Sequence, residues 1–540
     1  MNDKALKARQ WRIVELPLKA KTVHPHPFPD VRVTADFSGP AGEHYRIPGF
    51  LDGGNTWLIR FTPTTPGRWT YRTTCNITGD AGLHGRHGSL NVEPPAGDNP
   101  LYRHGGFLRV SPNKRHLTYT DGTPFFWLGD TWWFCPSDLM PFDSAFRMLI
   151  DKRRKQGFSV VQMAFLGRLT PKGTQSGITG EYGQLFADEV NTEYWHEVDR
   201  YLSYANESGI LPVIGLGFHH GLDTTPLAKL KKLWAYVLAR YGSHAVSWLI
   251  CGEYNAAQVT DETGGVPSET DTKRCQKVLK LGQFIKDHDP YARAMTVHPW
   301  WYKQEGREAW TRPWHDFIML QGGHEEQGPP PAFYTGIYHE ATKPLLEGEC
   351  TYEGIRGFPD TVVRHNAYKA IQCGSCGFTY GSHGLWYPNQ DETDLTFNDW
   401  GPPIPWRAAA ERPGAAQMTH LRACYEAVPW FKLAPVDAAS VIAWTDKDCS
   451  SGLPPLAAAA GDECILVYLP ARKKGVAPMR PVFIGGTSGM RYKLTLFNPR
   501  TGKSVETGQS PVGGGSTPLR ALPDAGDWML VFRAATAVKA

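Results

Sequence analysis

Apolar positions in the first part of the chain alternate with polar ones or cluster as β-branched runs, at residues 11–16, 31–37, 56–62 and 68–74. Period-two runs of this length, separated by Gly and Pro, predict half-buried strands rather than helices. Gly49-Phe-Leu-Asp-Gly-Gly54 and Pro66-Gly67 are predicted turns, so residues 1–95 are expected to form a small β-sandwich of immunoglobulin type. The Pro-rich stretch 93–100 reads as a linker.

Beyond it the pattern changes. Over residues 103–427 short apolar runs alternate with segments of helical period, which is the signature of βαβ units around a parallel sheet. Eight runs qualify as strands: 125–129, 159–165, 211–217, 247–252, 294–298, 317–321, 344–348 and 377–380. Helices are predicted at 143–156, 194–208, 226–241, 270–287 and 360–373, while the Pro-rich crossover 327–338 predicts a loop or a short helix. Eight strands are what a closed (β/α)8 barrel requires. Alternation returns in residues 434–540, at 464–469, 492–497 and 527–532, with Asn498-Pro-Arg-Thr-Gly502 as a hairpin turn. The predicted fold is therefore an α/β TIM barrel flanked by an N-terminal immunoglobulin-like sandwich and a C-terminal one.

Such barrels carry their chemistry at the C-terminal ends of the strands, so polar residues just after each apolar run are the candidates. Strand 1 runs into Asp130 and Trp132, strand 3 into His219, strand 4 into Glu253 and Asn255, and strand 5 into His298. Strand 6 ends in Gln321 and His324, strand 7 in Glu349 followed by Tyr352 and Glu353, and strand 8 in His383 and Trp386. Cleaving a glycosidic bond needs one carboxyl to protonate the departing oxygen and another to attack or stabilise the sugar cation. Glu253 and Glu349, on strands 4 and 7, are the candidate catalytic pair. Strand alternation places Glu347 on the same face as Glu349, one step deeper. The remaining strand-end residues are candidate substrate contacts, with Trp386 as a platform for a sugar ring.

Composition sharpens this in three places. The chain has 19 Trp, 22 Tyr and 24 Phe among 540 residues, many of the Trp in polar or Gly-containing stretches, which suits sugar faces that pack on aromatic rings. A net charge of +4 over that length gives no reason to expect a nucleic-acid or membrane partner. Ten dispersed cysteines with a single C-x-x-C, Cys373 to Cys376, predict buried thiols and no metal site, and no cofactor is expected. The polar start and the lack of a long apolar run predict an intracellular protein, or an exported one where a signal peptide has been removed.

Several of these segments together resemble one family. Tyr119-Thr-Asp-Gly-Thr-Pro-Phe-Phe-Trp-Leu-Gly-Asp-Thr-Trp-Trp133, Lys343-Pro-Leu-Leu-Glu-Gly-Glu349 with Tyr352-Glu353, and Gly377-Phe-Thr-Tyr-Gly381 with Gly384-Leu-Trp386 resemble motifs of the apiosidase-like glycoside hydrolases. Residues 49–74 are similar to the β-sandwich often placed before that barrel. Tyr468-Leu-Pro470, Asn498 to Gly502 and Asp527-Trp528 are similar to the C-terminal sandwich labelled collagen-binding. The resemblance implies a strand 4 acid/base at Glu253 and a strand 7 nucleophile at Glu349. Family members tend to have Asp at the first position, so the longer Glu253 bears on apiose specificity. The expected activity is release of a terminal, furanose-type sugar from plant or algal polysaccharide or oligosaccharide side chains, with retention. The alternative from another class is an inactive carbohydrate- or matrix-binding protein. The expected partner is a carbohydrate, and the sandwiches offer surfaces for a homo-oligomer.

Overall fold

The computed structural model describes residues 5–165, 190–256, 269–302, 306–444, 453–472 and 479–535. Eight parallel strands form its centre: β1 (Trp127–Trp132), β2 (Val160–Ala164), β3 (Leu211–Gly215), β4 (Ser247–Leu249), β5 (Met295–Thr296), β6 (Ile318–Gln321), β7 (Leu345–Glu349) and β8 (Ser375–Tyr380). They are hydrogen-bonded in the order β5-β4-β3-β2-β1-β8-β7-β6. The remaining seam, between β5 and β6, is bridged where Asp316 N donates to Met295 O at 3.0 Å and Thr296 Oγ1 to Phe317 O at 2.7 Å. The barrel is thus nearly closed, as the eight apolar runs predict.

Alternation along these strands sorts side chains to two sides. Trp127, Val160, Val213, Leu249, Phe317, Met319 and Leu346 share one buried cluster inside the barrel. Trp132, Val161, Met163, Ile214 and Trp248 belong to another, packed against helical residues such as Leu149, Trp195 and Val237. Fully buried parallel strands present apolar residues to both sides, which is why they read as continuous runs.

The crossovers carry α1 (Arg147–Lys155), α2 (Thr192–Glu207), α3 (Leu227–Tyr241), α4 (Glu269–His288), α5 (Pro331–Glu340) and α6 (Asp360–Gln372), and α7 (Pro413–Glu426) follows β8. In α3, Leu230, Leu233, Trp234, Val237 and Tyr241 recur at three- and four-residue steps and are all buried. The Pro-rich sixth crossover holds α5, ten residues long with Pro331 in its first turn. Proline is tolerated there because its missing N–H would have no partner within the helix.

The N-terminal module pairs a five-stranded sheet with a three-stranded one. The stretch predicted as a turn at 49–54 contains a strand, Phe50–Gly53, which pairs with Thr56–Phe61; the reversal is confined to Gly53, Gly54 and Asn55, with both glycines at positive φ. Its core, including Val33, Phe37, Ile59 and Trp69, is continuous with the barrel interior through Phe107, Leu108 and Leu117 beneath the barrel. The C-terminal module pairs a six-stranded sheet with a three-stranded one, and Asn498 to Gly502 forms the expected hairpin between Tyr492–Phe497 and Ser504–Glu506. Among the described residues no helix is long and apolar enough to cross a membrane.

Candidate active site

Beyond β4 the backbone stays in register with the segment after β5: Cys251 O accepts from His298 N at 3.1 Å, and His298 O accepts from Tyr254 N at 3.2 Å. Glu253 lies between those bonds and so is fixed beside His298. Gly252 just before it must be glycine, because a Cβ there would fall 2.6 Å from the Phe218 ring. Glu253 itself has φ of +48°, a left-handed conformation that costs a non-glycine residue roughly 1–3 kcal/mol. Trp301, Arg356 and Phe397 share that strain, at +44°, +50° and +61°. Phe397 packs on Trp386 with ring centres 4.8 Å apart, and the Arg356 guanidinium lies 4.8 Å over Trp400. Strained residues often gather where a ligand is held, and four of the seven positive-φ non-glycine residues described lie in the loops above one end of the barrel.

Glu349 sits at the end of β7 with its side chain only 4% exposed. His298 Nε2 lies 2.9 Å from Oε2, bent away from the ring N–H axis, and His324 Nε2 lies 3.2 Å from Oε1. Trp133 Nε1 is 3.2 Å from Oε2 and donates also to the Tyr352 hydroxyl at 3.0 Å. Burial alone would raise the Glu349 pKa, but the contacts from His298 and His324 outweigh it and hold the carboxyl well below its ordinary range. His298 answers in kind: burial pulls its pKa down, Glu349 pulls it up, and the net direction is up. Burial and the neighbouring Glu349 charge keep the Tyr352 phenol protonated.

Glu253 is the opposite case. Burial first, and the charge of Glu349 second, raise its pKa against the opposing effect of Gln321, whose Nε2 donates to Oε1 at 3.0 Å. His219 Nδ1 lies 3.9 Å from its other oxygen. Two carboxyls within each other's field, one with its pKa lowered and the other with its pKa raised, are what acid and nucleophile roles require of a pair. Among the described residues no group of three or more His, Cys, Asp or Glu is arranged to hold a metal ion.

Around this pair the structure gathers most of the sequence candidates: His219 and Gln321 beside Glu253; His298, His324 and Tyr352 beside Glu349. Asn255 lies two residues beyond Glu253, its Oδ1 accepting from Trp300 N at 2.7 Å. Trp386 is half-buried, 6.2 Å ring to ring from Tyr352, and its Nε1 has no hydrogen-bond partner among the described residues.

Four candidates lie elsewhere. Asp130 and Trp132 still belong to β1, which extends past the predicted end, and both point outward. Asp130 is fully buried in an ion pair with Arg153 at 2.6 Å and accepts from Trp132 Nε1 at 2.9 Å, while Trp132 packs edge-on against Phe146. They brace β1 against α1 rather than meet a sugar. Glu353 is turned into the wall, accepting from the Tyr380 hydroxyl at 2.6 Å and Gly414 N at 3.0 Å. His383 Nε2 reaches the Gly401 and Pro402 carbonyls at 3.2 and 3.1 Å, which fixes the loop bearing Trp400. Two site residues escaped the sequence reading. Trp133 was readable from alternation once the true end of β1 is known. Trp400, whose ring meets His324 edge-on at 5.3 Å, comes from a loop after β8 with no strand-end signal.

Glu347 also departs from expectation. Its carboxyl turns toward α5, accepting from the Tyr334 hydroxyl at 2.5 Å, because the pairing of β7 shifts register against both neighbours and breaks the alternation that would align it with Glu349.

Residues 111–432 match the model of the apiosidase-like catalytic domain. The chain belongs to the apiosidase-like family. As a member it is a glycoside hydrolase with a TIM-barrel catalytic unit. Residues 7–76 match a domain of unknown function, DUF5060. A structure from Bacteroides vulgatus ATCC 8482 described as a candidate glycoside hydrolase is 18% identical, with 98% of this chain and 100% of that one covered and a TM-score of 0.72. A glycoside hydrolase family 5 structure from the same organism is 21% identical over 81% of this chain and 94% of its own, with a TM-score of 0.63. A further structure named glycoside hydrolase is 20% identical over 80% and 97%, with a TM-score of 0.62. At these identities the likeness establishes a shared fold. No curated protein matches at a significant level.

Proposed function

We propose that this apiosidase-like hydrolase releases a terminal, furanose-type sugar from plant or algal polysaccharide or oligosaccharide side chains by a retaining two-glutamate mechanism. The sugar type rests on family membership. The two-carboxyl chemistry is supported by one observation: His298 and His324 lie against the two oxygens of Glu349 at 2.9 and 3.2 Å and lower its pKa, while burial and the Glu349 charge raise that of Glu253; retention, like the sugar type, rests on family membership. In the first step the Glu349 carboxylate attacks the anomeric carbon and the glycosidic C–O bond breaks, the departing oxygen taking the Glu253 proton. In the second, Glu253, now a base, takes a proton from water, whose oxygen attacks the anomeric carbon and frees Glu349. Trp386 and Trp400 would face the bound sugar. The three-part division at 1–95, 103–427 and 434–540 belongs to the same reading.

An inactive binding protein would have no need to keep two opposed carboxyls so poised, which supports the enzyme. The test is a panel of 4-nitrophenyl glycosides, including furanosides, with Glu349→Gln and Glu253→Gln. Each variant is expected to lose roughly 100-fold or more in kcat, the scale of a general acid's contribution, and NMR of the first product is expected to show the starting anomer. Full activity in Glu349→Gln removes that residue from the role, and an inverted first product removes the retaining step.

A further inference from the structure

We propose that Trp300, Trp301, Tyr302 and Phe333 form an aromatic platform for the departing part of the substrate, so that the leaving group is itself a carbohydrate chain of at least two sugar rings. The inference rests on Glu253 being the acid, and it goes beyond that assignment by naming what the acid expels.

Position comes first. Gln321 donates from Nε2 to Glu253 Oε1 at 3.0 Å, and its Oε1 accepts from Trp301 N at 2.8 Å. One side-chain amide thus fixes the acid and the start of the aromatic run together. Asn255, two residues past the acid, holds Trp300 N in the same way at 2.7 Å. The proton leaves Glu253 for the departing oxygen, so what lies just beyond Glu253 meets the departing group. The wall around Glu349 carries a separate aromatic set, Trp386 beside Tyr352 and Trp400 beside His324.

Geometry comes next. The rings follow one another at centre distances of 6.4 Å from Trp300 to Trp301, 5.5 Å to Tyr302 and 5.3 Å to Phe333. All four are only half-buried, although aromatic side chains of this size gain most from full burial. Sugar rings use such surfaces, laying their apolar faces on an aromatic ring while their hydroxyls stay wet. Phe333 lies in the first turn of α5, so the run leaves the strand ends and crosses onto the outer helix layer, farther than one ring reaches. Gly323 sets the plane of the first platform: it has φ of +80°, and a Cβ there would fall 2.8 Å from Trp301 Cδ1. The Trp301 backbone is itself left-handed at +44°, held against its own preference.

The test compares a 4-nitrophenyl glycoside that the wild type hydrolyses with pectin, arabinan and xyloglucan, using Tyr302→Ala, the Tyr302→Ala/Phe333→Ala pair and Tyr302→Phe. For whichever polysaccharide is cleaved, kcat/KM is expected to fall at least ten-fold relative to the aryl glycoside in the pair, mostly through KM. Tyr302→Phe, which keeps the ring, is expected to restore the wild-type ratio. An unchanged ratio in both alanine variants overturns the proposal. So does a wild type that hydrolyses the aryl glycoside and none of the polymers, an outcome that leaves the two-glutamate mechanism standing; loss of that mechanism would show instead as activity retained by Glu349→Gln.

Discussion

His298 is fully buried, and its Nε2 lies 2.9 Å from Glu349 Oε2, so its charge acts at short range with little water to screen it. On the proposed mechanism, wild-type activity needs Glu349 ionised and Glu253 protonated, which makes the profile of kcat/KM a bell between the two. The His298 cation lowers the pKa of both carboxyls. Replacing it in His298→Asn removes that cation, leaves burial to dominate at Glu349, and is expected to move the acidic and the basic limbs alike to higher pH. Activity at the optimum is expected to fall roughly 100-fold, the scale of a small misplacement of a reacting group once the imidazole packed against Glu349 is gone. A pH series with an aryl glycoside measures both, and limbs that stay where they were would show that His298 does not set the charge of the pair. At this scale the carboxylates and His298 were legible because each follows an apolar run, and the error lay in phase. Ending β1 at 129 made Trp132 the rim residue, whereas three more buried strand residues put Trp133 there. No composition signal separates two adjacent tryptophans, so only the strand's true end does.

At the scale of elements, β6 and β7 are tied by Glu347, whose carboxyl accepts from Gly322 N at 3.0 Å and from Glu349 N at 3.2 Å. Those are the strand ends that present Gln321, partner of the acid, and Glu349. Burial pushes the Glu347 pKa up to about 7, against the opposing hydrogen bond from Tyr334. Between the ordinary carboxyl value of about 4.3 and that folded value, the native state keeps a proton that the unfolded chain has released, so this group makes stability fall as pH rises. Glu347→Gln cannot titrate. Urea unfolding at pH 5 and 7.5 is expected to give a smaller loss of stability with pH in the variant than in the wild type. Equal losses would mean that Glu347 is ionised throughout. The elements themselves were largely legible, since strands buried on both sides are apolar runs and the helices show their period. The register shift at β7 was not, because a shifted rung changes neither composition nor spacing, and it is what turns Glu347 away from Glu349. The short helix α5 falls where the Pro-rich crossover predicts a loop or a short helix, and the last of three successive prolines at 329–331 marks its start.

Across the whole molecule, the N-terminal module is fastened to the barrel by a charged junction that no single segment announces. Asp199 on α2 accepts from Arg60 of the module at 3.1 and 2.6 Å, and from Arg240 of α3 at 2.9 and 2.6 Å. Both guanidiniums lie over the Phe50 ring, at 5.0 and 4.7 Å, with Arg240 fully buried. Burial would raise the Asp199 pKa, but the two arginines outweigh it and hold the carboxyl far below its ordinary value. A depressed folded pKa adds stability that is fully present above the unfolded value of about 3.9 and is lost as pH falls through the folded one. Asp199→Ala leaves Arg240 paired with Asp52 and Arg60 with Glu15, each at 2.9 Å, but strips both guanidiniums of their shared acceptor, and the expected cost at pH 7 is about 1–3 kcal/mol. Measured by thermal unfolding, the gap between wild type and Asp199→Ala is expected to be widest near neutrality and to narrow below about pH 4, as the unfolded wild-type chain takes up a proton that the folded carboxyl does not. Module and barrel are also joined by neutral contacts, Thr62 Oγ1 to Ser243 O at 2.7 Å and Thr62 N to Tyr291 Oη at 2.8 Å, which do not titrate in this range. A gap that is small, or that does not change between pH 7 and 3, would therefore assign the joint to those contacts and to the shared apolar core, with the arginine pair as a bystander.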